Sequence, residues 1–192
     1  MHSIVRHRDE LHPTYPPTIH YKWMVDLVTM PMGVGQMRYL VPAWEDLTNQ
    51  VEGRALQNKT NATVCRFLIE DVICRYGCVG KIVADRGELD AEEAEELFDR
   101  LGVKLSLTTT YNPEANGEVE RGHSPIVKAL VRACGGQVGN WPRLLPYALW
   151  ADRTTHSSVT GFMPEELMFG QKSIMPTEHT ISSCATVDWK EG

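Results

Sequence analysis

No stretch of the chain is apolar over anything near the roughly 20 residues that a membrane-spanning helix needs. The opening residues, Met1-His-Ser-Ile-Val-Arg-His-Arg-Asp9, lack the apolar core of a secretory signal. Cysteine is sparse and odd in number: five residues without regular spacing. That excludes a disulfide framework and makes a reducing compartment, cytosol or nucleus, the expectation. Basic residues are also short. Nineteen Lys and Arg against 25 Asp and Glu leave a net charge of −6. This argues against a general nucleic-acid coat protein, because phosphate neutralisation depends on Lys and Arg. It does not exclude an enzyme that gathers carboxylates for metals and clusters its cations locally. Internal repeats and low-complexity tracts are absent. What is present, 192 residues with 42% hydrophobic and 23% charged content, is one globular domain with a real core.

Residues 1–19 are polar, basic and proline-containing (Pro13, Pro16, Pro17), and read as an extended lead-in or linker. Residues 20–30 are rich in strand formers, with Asp26 inside the run. Pro31 to Gly35 read as a turn, Gln36 to Ala43 as a second strand, Glu45 to Asn49 as another turn, and Gln50 to Leu56 as a third strand. Asn61 to Tyr76 follow the helical period, with Val64, Phe67, Leu68, Val72 and Ile73 on one face. Thr60 or Asn61 would cap this helix and Gly77 would stop it. Val79 to Ala84 read as a strand ending at Asp85-Arg-Gly87, Ala91 to Leu101 as an acidic helix, and Val103 to Leu107 as a fifth strand. Trp141 to Trp150 and Met163 to Phe169 read as further helices. From Gln171 the chain reads as a tail. Strands joined by short turns, then alternating helix and strand, give a mixed α/β domain in the order of a ribonuclease H-like fold. The expected sheet is five-stranded, mixed and flanked by helices.

The stretch Thr109-Thr-Tyr-Asn-Pro-Glu-Ala-Asn-Gly-Glu-Val-Glu-Arg-Gly-His123 sets a Pro/Asn/Gly loop against an acidic run that starts like a helix. Asp26 needs partners or a metal if it is buried within the first strand. Asp85 ends the fourth strand. If these strands are neighbours, both carboxylates emerge side by side at strand ends, where open α/β sheets place sites. Glu120 could close the triangle. Three converging carboxylates repel unless cations sit among them, and hard oxygen ligands suit Mg²⁺ or Mn²⁺. Two such ions about 3.5–4 Å apart would activate a water or hydroxyl and stabilise the leaving oxygen of a phosphodiester.

Trp23-Met-Val-Asp26, Ala84-Asp-Arg-Gly87 and Tyr111-Asn-Pro-Glu-Ala-Asn-Gly-Glu-Val-Glu-Arg121 resemble the three signature blocks of the integrase catalytic core of retroviruses and LTR retrotransposons, the gypsy type most of all. Tyr39-Leu-Val41, Asp46-Leu-Thr48, Arg75-Tyr-Gly77 and His156-Ser-Ser-Val-Thr-Gly161, leading to Pro164 and Phe169-Gly170, extend the resemblance over roughly residues 20–175. Residues 176–192 would then be a tail. The resemblance implies a catalytic and metal-binding triad of Asp26, Asp85 and Glu120. The family's glutamate lies three residues after the loop glycine, here Gly117, which selects Glu120 over Glu114 and Glu118. The resemblance further implies two Mg²⁺ or Mn²⁺ ions, 3′-end cleavage and strand transfer, and DNA contacts by Asn112, Asn116, Arg121, His123 and Lys128. Element-end and target DNA, other copies of the chain and a nuclear location (or a cytoplasmic particle before nuclear entry) are the implied partners and place. No membrane partner is expected.

Several features depart from the family pattern. The Asp85–Glu120 gap is one residue short. Gly122 and Pro125 fall in the helix expected to carry Glu120. The flanking zinc and basic domains of the family are absent from this stretch, so the expectation is a catalytic core alone. Taken singly, Asp26 reads as a hydrogen-bonded strand aspartate, Asp85-Arg-Gly as a turn, and Glu118 and Glu120 as dipole-favoured surface charge. The joint pattern overturns these readings. A decayed or co-opted core that binds nucleic acid or protein is the alternative, and ribonuclease H activity a third. Glu92, Glu93, Glu95 and Glu96 read as a solvated helix face, Cys65, Cys74 and Cys78 as buried thiols, and Trp141, Tyr147 and Trp150 as core.

Overall fold

The computed structural model describes residues 16–77, 79–85, 89, 91–108 and 125–174. Among these residues six strands form: β1 (Lys22–Val25), β2 (Val28–Gly33), β3 (Met37–Glu45), β4 (Val51–Leu56), β5 (Lys81–Asp85) and β6 (Lys104–Thr108). β3 is central to the antiparallel half, pairing with β1, β2 and β4, while β1–β5 and β5–β6 are parallel.

β1 and β2 are one line of chain broken in the middle. Val25 pairs with Ala43 and Val28 with Leu40, which is a single unbroken register. Asp26 sits opposite Pro42, and its N–H donates to the Pro42 carbonyl at 3.2 Å. Pro42 has no N–H to return the bond, so the ladder lapses at Asp26–Leu27. Counting that line once, the sheet has the expected five lines, ordered β4, β3, β1/β2, β5, β6. Two expectations change. Asp26 is the first residue beyond β1 and not within a strand. Pro31, Met32 and Gly33 belong to β2, and the reversal is the tight turn Val34–Gln36 with Gly35 at φ 72°. Pro31 is tolerated because β2 lies at the margin of the sheet.

Helix α1 runs Asn61–Phe67, passes through a π-helical stretch Leu68–Ile73 and ends Cys74–Tyr76. The Thr60 hydroxyl accepts from the Thr63 N–H at 3.3 Å, and Gly77 at φ 86° stops the helix. α2 is Ala91–Arg100, and α3 is described over residues 125–133. α4 is Trp141–Thr154 and α5 is Pro164–Phe169, the latter closed by left-handed Gly170.

Strand alternation divides the core between the two faces of the sheet. Trp23, Val25, Val41, Ala43 and Ile82 pack with Phe67, Leu68 and Val72 of α1 and with Ala94 and Phe98 of α2. Met24, Leu40, Trp44 and Val51 pack with Ile126 and Leu130 of α3 and with Trp141, Leu145 and Leu149 of α4. Trp141 is core, as expected, but Tyr147 and Trp150 are 68% and 41% exposed. The buried stripe of α4 is Trp141, Leu145, Ala148 and Leu149, the i, i+4, i+7, i+8 phase of an amphipathic helix. Tyr147 and Trp150 fall outside it. Cys65 is buried as expected, but Cys74 is exposed, because the π-helical stretch rotates the residues after it relative to a regular helix. Glu92, Glu93, Glu95 and Glu96 are exposed, as the acidic face of α2 requires.

Candidate active site

The parallel pairing of β1 and β5 aligns Lys22 with Lys81, Trp23 with Ile82 and Met24 with Val83. The same register continued by two residues sets Asp26 across from Asp85. β6 extends the row, since Asp85 pairs with Thr108. Neighbouring strands lie about 4.8 Å apart, so two carboxylates and a hydroxyl stand in line at the C-terminal ends of three parallel strands. Side chains two residues apart share a face. Asp26 and Asp85 therefore share the face of Met24 and Val83, which packs against α3 and α4.

Both aspartates are half-buried. Asp26 Oδ1 accepts the Leu27 N–H at 2.7 Å, which turns the carboxylate back along its own chain where the ladder lapses. Asp85 Oδ1 accepts the Thr108 hydroxyl. Asp26 Oδ1 is thus held by its own chain and Asp85 Oδ1 by the adjacent strand. Thr108 was missed by reading motifs. Its only signal in the sequence is its place at the end of the fifth strand, in phase with Asp85.

Glu120, Asn112, Asn116, Arg121 and His123 lie outside the described residues. Lys128 is on α3 and exposed. Ile126 and Leu130 bind α3 to the face that carries the two aspartates, so residue 125 is held over that face. Among the described residues no three His, Cys, Asp or Glu side chains gather closely enough to hold a metal. The described part of the site is the Asp26–Asp85 pair.

A second polar cluster, also not foreseen, lies on β4 against α1. Buried Glu52 accepts from Tyr76 Oη at 2.7 Å, Arg153 Nη1 at 3.1 Å and Arg75 Nη1 at 3.2 Å. Gln50 Nε2 donates to Tyr76 Oη at 3.2 Å. Burial, and then the neighbouring Glu52 carboxylate, push the Tyr76 phenol up to about 12, against the lowering hydrogen bond from Gln50. Fully buried Glu45 accepts at Oε2 from the Leu47 and Thr48 N–H groups (3.0 and 2.7 Å) and closes the β3–β4 turn. This cluster joins β4 to α1 and α4, and is structural.

No family profile matches the chain. It is 30% identical over 151 residues, 78% of its length, to the Gag-Pol polyprotein of avian reticuloendotheliosis virus. It is 30% identical over 152 residues to the Gag-Pol polyprotein of koala retrovirus, covering 77% of the chain. It is 26% identical over 164 residues to the retrovirus-related Pol polyprotein from transposon 412 of Drosophila melanogaster, covering 83%. The chain spans only 9% to 13% of the length of these relatives. In structure it superposes on the catalytic core domain of BIV integrase with a TM-score of 0.64 and 24% identity, covering 84% of this chain and 97% of that one. A simian T-cell lymphotropic virus intasome in complex with a PP2A regulatory subunit gives a TM-score of 0.69 at 16% identity, covering 84% and 60%. The similarity extends well beyond the three motif blocks, and the sheet has the same ribonuclease H-like order. The chain belongs to the Pol polyprotein family of retroviruses and related transposons, and it has the fold of a retroviral integrase catalytic core.

Proposed function

We propose that this core is a divalent-metal-dependent polynucleotidyl transferase that trims a DNA 3′ end and joins it to target DNA. The observation that carries the reading is the parallel register of β1 with β5, which, continued by two residues, sets Asp26 across from Asp85 at the strand ends. Two carboxylates a strand spacing apart repel each other unless a cation lies between them. Their oxygens are the hard donors that Mg²⁺ and Mn²⁺ favour. Asp26 and Asp85 would share one ion, and Glu120 would complete the donor set for a second. Such ions, when bound, supply Lewis-acid charge that activates a water or hydroxyl and stabilises the leaving oxygen.

The chain's own residues hold the donors in place. The Leu27 N–H fixes one oxygen of Asp26, and the Thr108 hydroxyl fixes one oxygen of Asp85. In strand transfer the DNA 3′-hydroxyl oxygen bonds to the target phosphorus as the target's own bridging 3′ oxygen leaves. Asn112, Asn116, Arg121, His123 and Lys128 would contact the DNA backbone. Self-association and a nuclear place of action belong to the same reading.

The test is Mn²⁺-dependent strand transfer or disintegration on a branched oligonucleotide. Wild type should turn over, and Asp85→Asn and Glu120→Gln should fall to background. Equal background for wild type and Asp85→Asn sinks the reading. Absence of Mg²⁺ or Mn²⁺ binding by calorimetry, with DNA binding retained, would select the co-opted binding module. Cleavage of an RNA–DNA hybrid would select ribonuclease H activity.

A further inference from the structure

The register that aligns the aspartates also aligns three lysines at the other end of the same strands. Lys22 pairs with Lys81, and Lys81 with Lys104. The three therefore start β1, β5 and β6 on one rung and one face, about 4.8 Å from strand to strand. They lie four residues, roughly 13 Å, from the Asp26–Asp85–Thr108 row.

Like charges directly opposite each other in a sheet are destabilising. Lys22 is paired with Asp46 Oδ2 at 3.2 Å. Among the described residues neither Lys81 nor Lys104 is ion-paired. Burial, then Lys104 and Lys22, push the Lys81 ammonium down from its ordinary value. In a chain of net charge −6, three lysines gathered on one rung are a local conflict, offset only in part by Asp46 at Lys22 and by Glu95, Glu96 and Asp99, which line a cleft together with Lys104. Such local conflicts are expected at functional sites.

We propose that the Lys22–Lys81–Lys104 rung is a second nucleic-acid contact, which grips the phosphate backbone of a DNA segment other than the one at the aspartates. Lysine suits phosphate as a point charge. At the same end of the sheet Tyr21, 41% exposed, lays its ring against Gly80, where an added Cβ would come within 2.6 Å of the ring. Cations beside an exposed aromatic ring match a backbone-plus-base ligand better than an acidic peptide. The aspartates and the rung stand at opposite ends of covered strands, so the two DNA segments do not compete. The inference rests on the DNA reading above.

The test is anisotropy of a fluorescein-labelled DNA duplex with the whole chain, in EDTA, over a series of salt concentrations. Lys81→Gln/Lys104→Gln should weaken binding about tenfold or more. It should also lower the slope of log K against log salt by about 1.8, from two lost phosphate contacts. Its melting midpoint should equal or exceed wild type, since repulsion is relieved, so a loss of binding is not a loss of fold. Asp85→Asn should keep wild-type binding and slope in EDTA while losing disintegration activity, which separates this inference from the catalytic one. Unchanged affinity and slope in the folded double variant overturn it. So does wild-type preference for a polyglutamate peptide over DNA, or absence of DNA binding in EDTA.

Discussion

Removing the Glu52 carboxylate should cost the protein several degrees of thermal stability without touching the reaction centre. Glu52 is 4% exposed and takes three donors from two helices: Tyr76 and Arg75 of α1 and Arg153 of α4. Breaking a well-buried pair by deleting one partner costs about 3–5 kcal/mol. Glu52 is the buried member, but Arg153 is 22% exposed and Arg75 is 53% exposed. Both guanidiniums can recover water, so the loss falls at or below the bottom of that range. The Arg75 pair, half in solvent, contributes about 0–1 kcal/mol. The Tyr76 hydroxyl loses its acceptor, at about 1–3 kcal/mol. With the partly exposed Arg153 pair at about 1–3 kcal/mol, the terms for Glu52→Ala add to about 2–7 kcal/mol, a fall of at least about 4 °C for a domain of this size. Glu52→Gln keeps one acceptor oxygen for Tyr76 and should lose about half as much. Scanning calorimetry on Glu52→Ala, crossed with Arg153→Ala and Arg75→Ala, measures both terms. A fall below about 2 °C, or a coupling to Arg75 as large as that to Arg153, would refute the reasoning. Disintegration activity per folded molecule should be unchanged, since Glu52 is two strands from Asp26 and shares the opposite face, that of Val25 and Ala43.

Other perturbations follow from single contacts. Gly33→Ala would put a Cβ 2.5 Å from Pro142 Cγ and 2.7 Å from Trp141 Nε1, so denaturant melts should show a loss of about 1–3 kcal/mol as the start of α4 is pushed off the sheet. Burial raises the Asp152 carboxyl above its ordinary value, against the lowering effect of Arg153. A raised carboxyl favours the fold when protonated and penalises it once ionised. Asp152→Asn should therefore raise the melting midpoint at pH 7, and the gain should vanish as pH falls below the ordinary carboxylate range. Thiol labelling of the native chain should modify exposed Cys74 and spare Cys65, which is buried and whose thiol is pushed up by burial and then by Glu93. Equal rates at the two positions would contradict the packing of α1.

Much of the fold was legible because its causes are local. Thr60 and Gly77 bracket α1, the apolar phase between them selects its inner face, and Gly170 closes α5. The misreadings share a different origin. Tyr147 and Trp150 were assigned to the core by their apolarity, whereas the phase of α4 decides burial and leaves them outside. Cys74 moved to the surface through the π-helical stretch, which no spacing rule announces. The turn placed at Pro31 failed because a proline at the sheet margin costs no ladder bond.

For the site, the joint pattern of three ordered motif blocks nominates Asp26 and Asp85, because the order and spacing of residue identities survive in one dimension. Residues 1–15, 109–124 and 175–192, including the stretch with Glu120, lie outside the described residues. What only the tertiary structure decided is register. Pro42, sixteen residues away along the chain, interrupts β1–β2 and frees Asp26 from the regular ladder. Parallel pairing, which joins strands far apart in sequence, sets Asp26 beside Asp85 and Thr108 at one end, and Lys22 beside Lys81 and Lys104 at the other. The sequence by itself determined which groups could do chemistry. Cross-strand hydrogen bonding, a non-local interaction, decided which of them stand together.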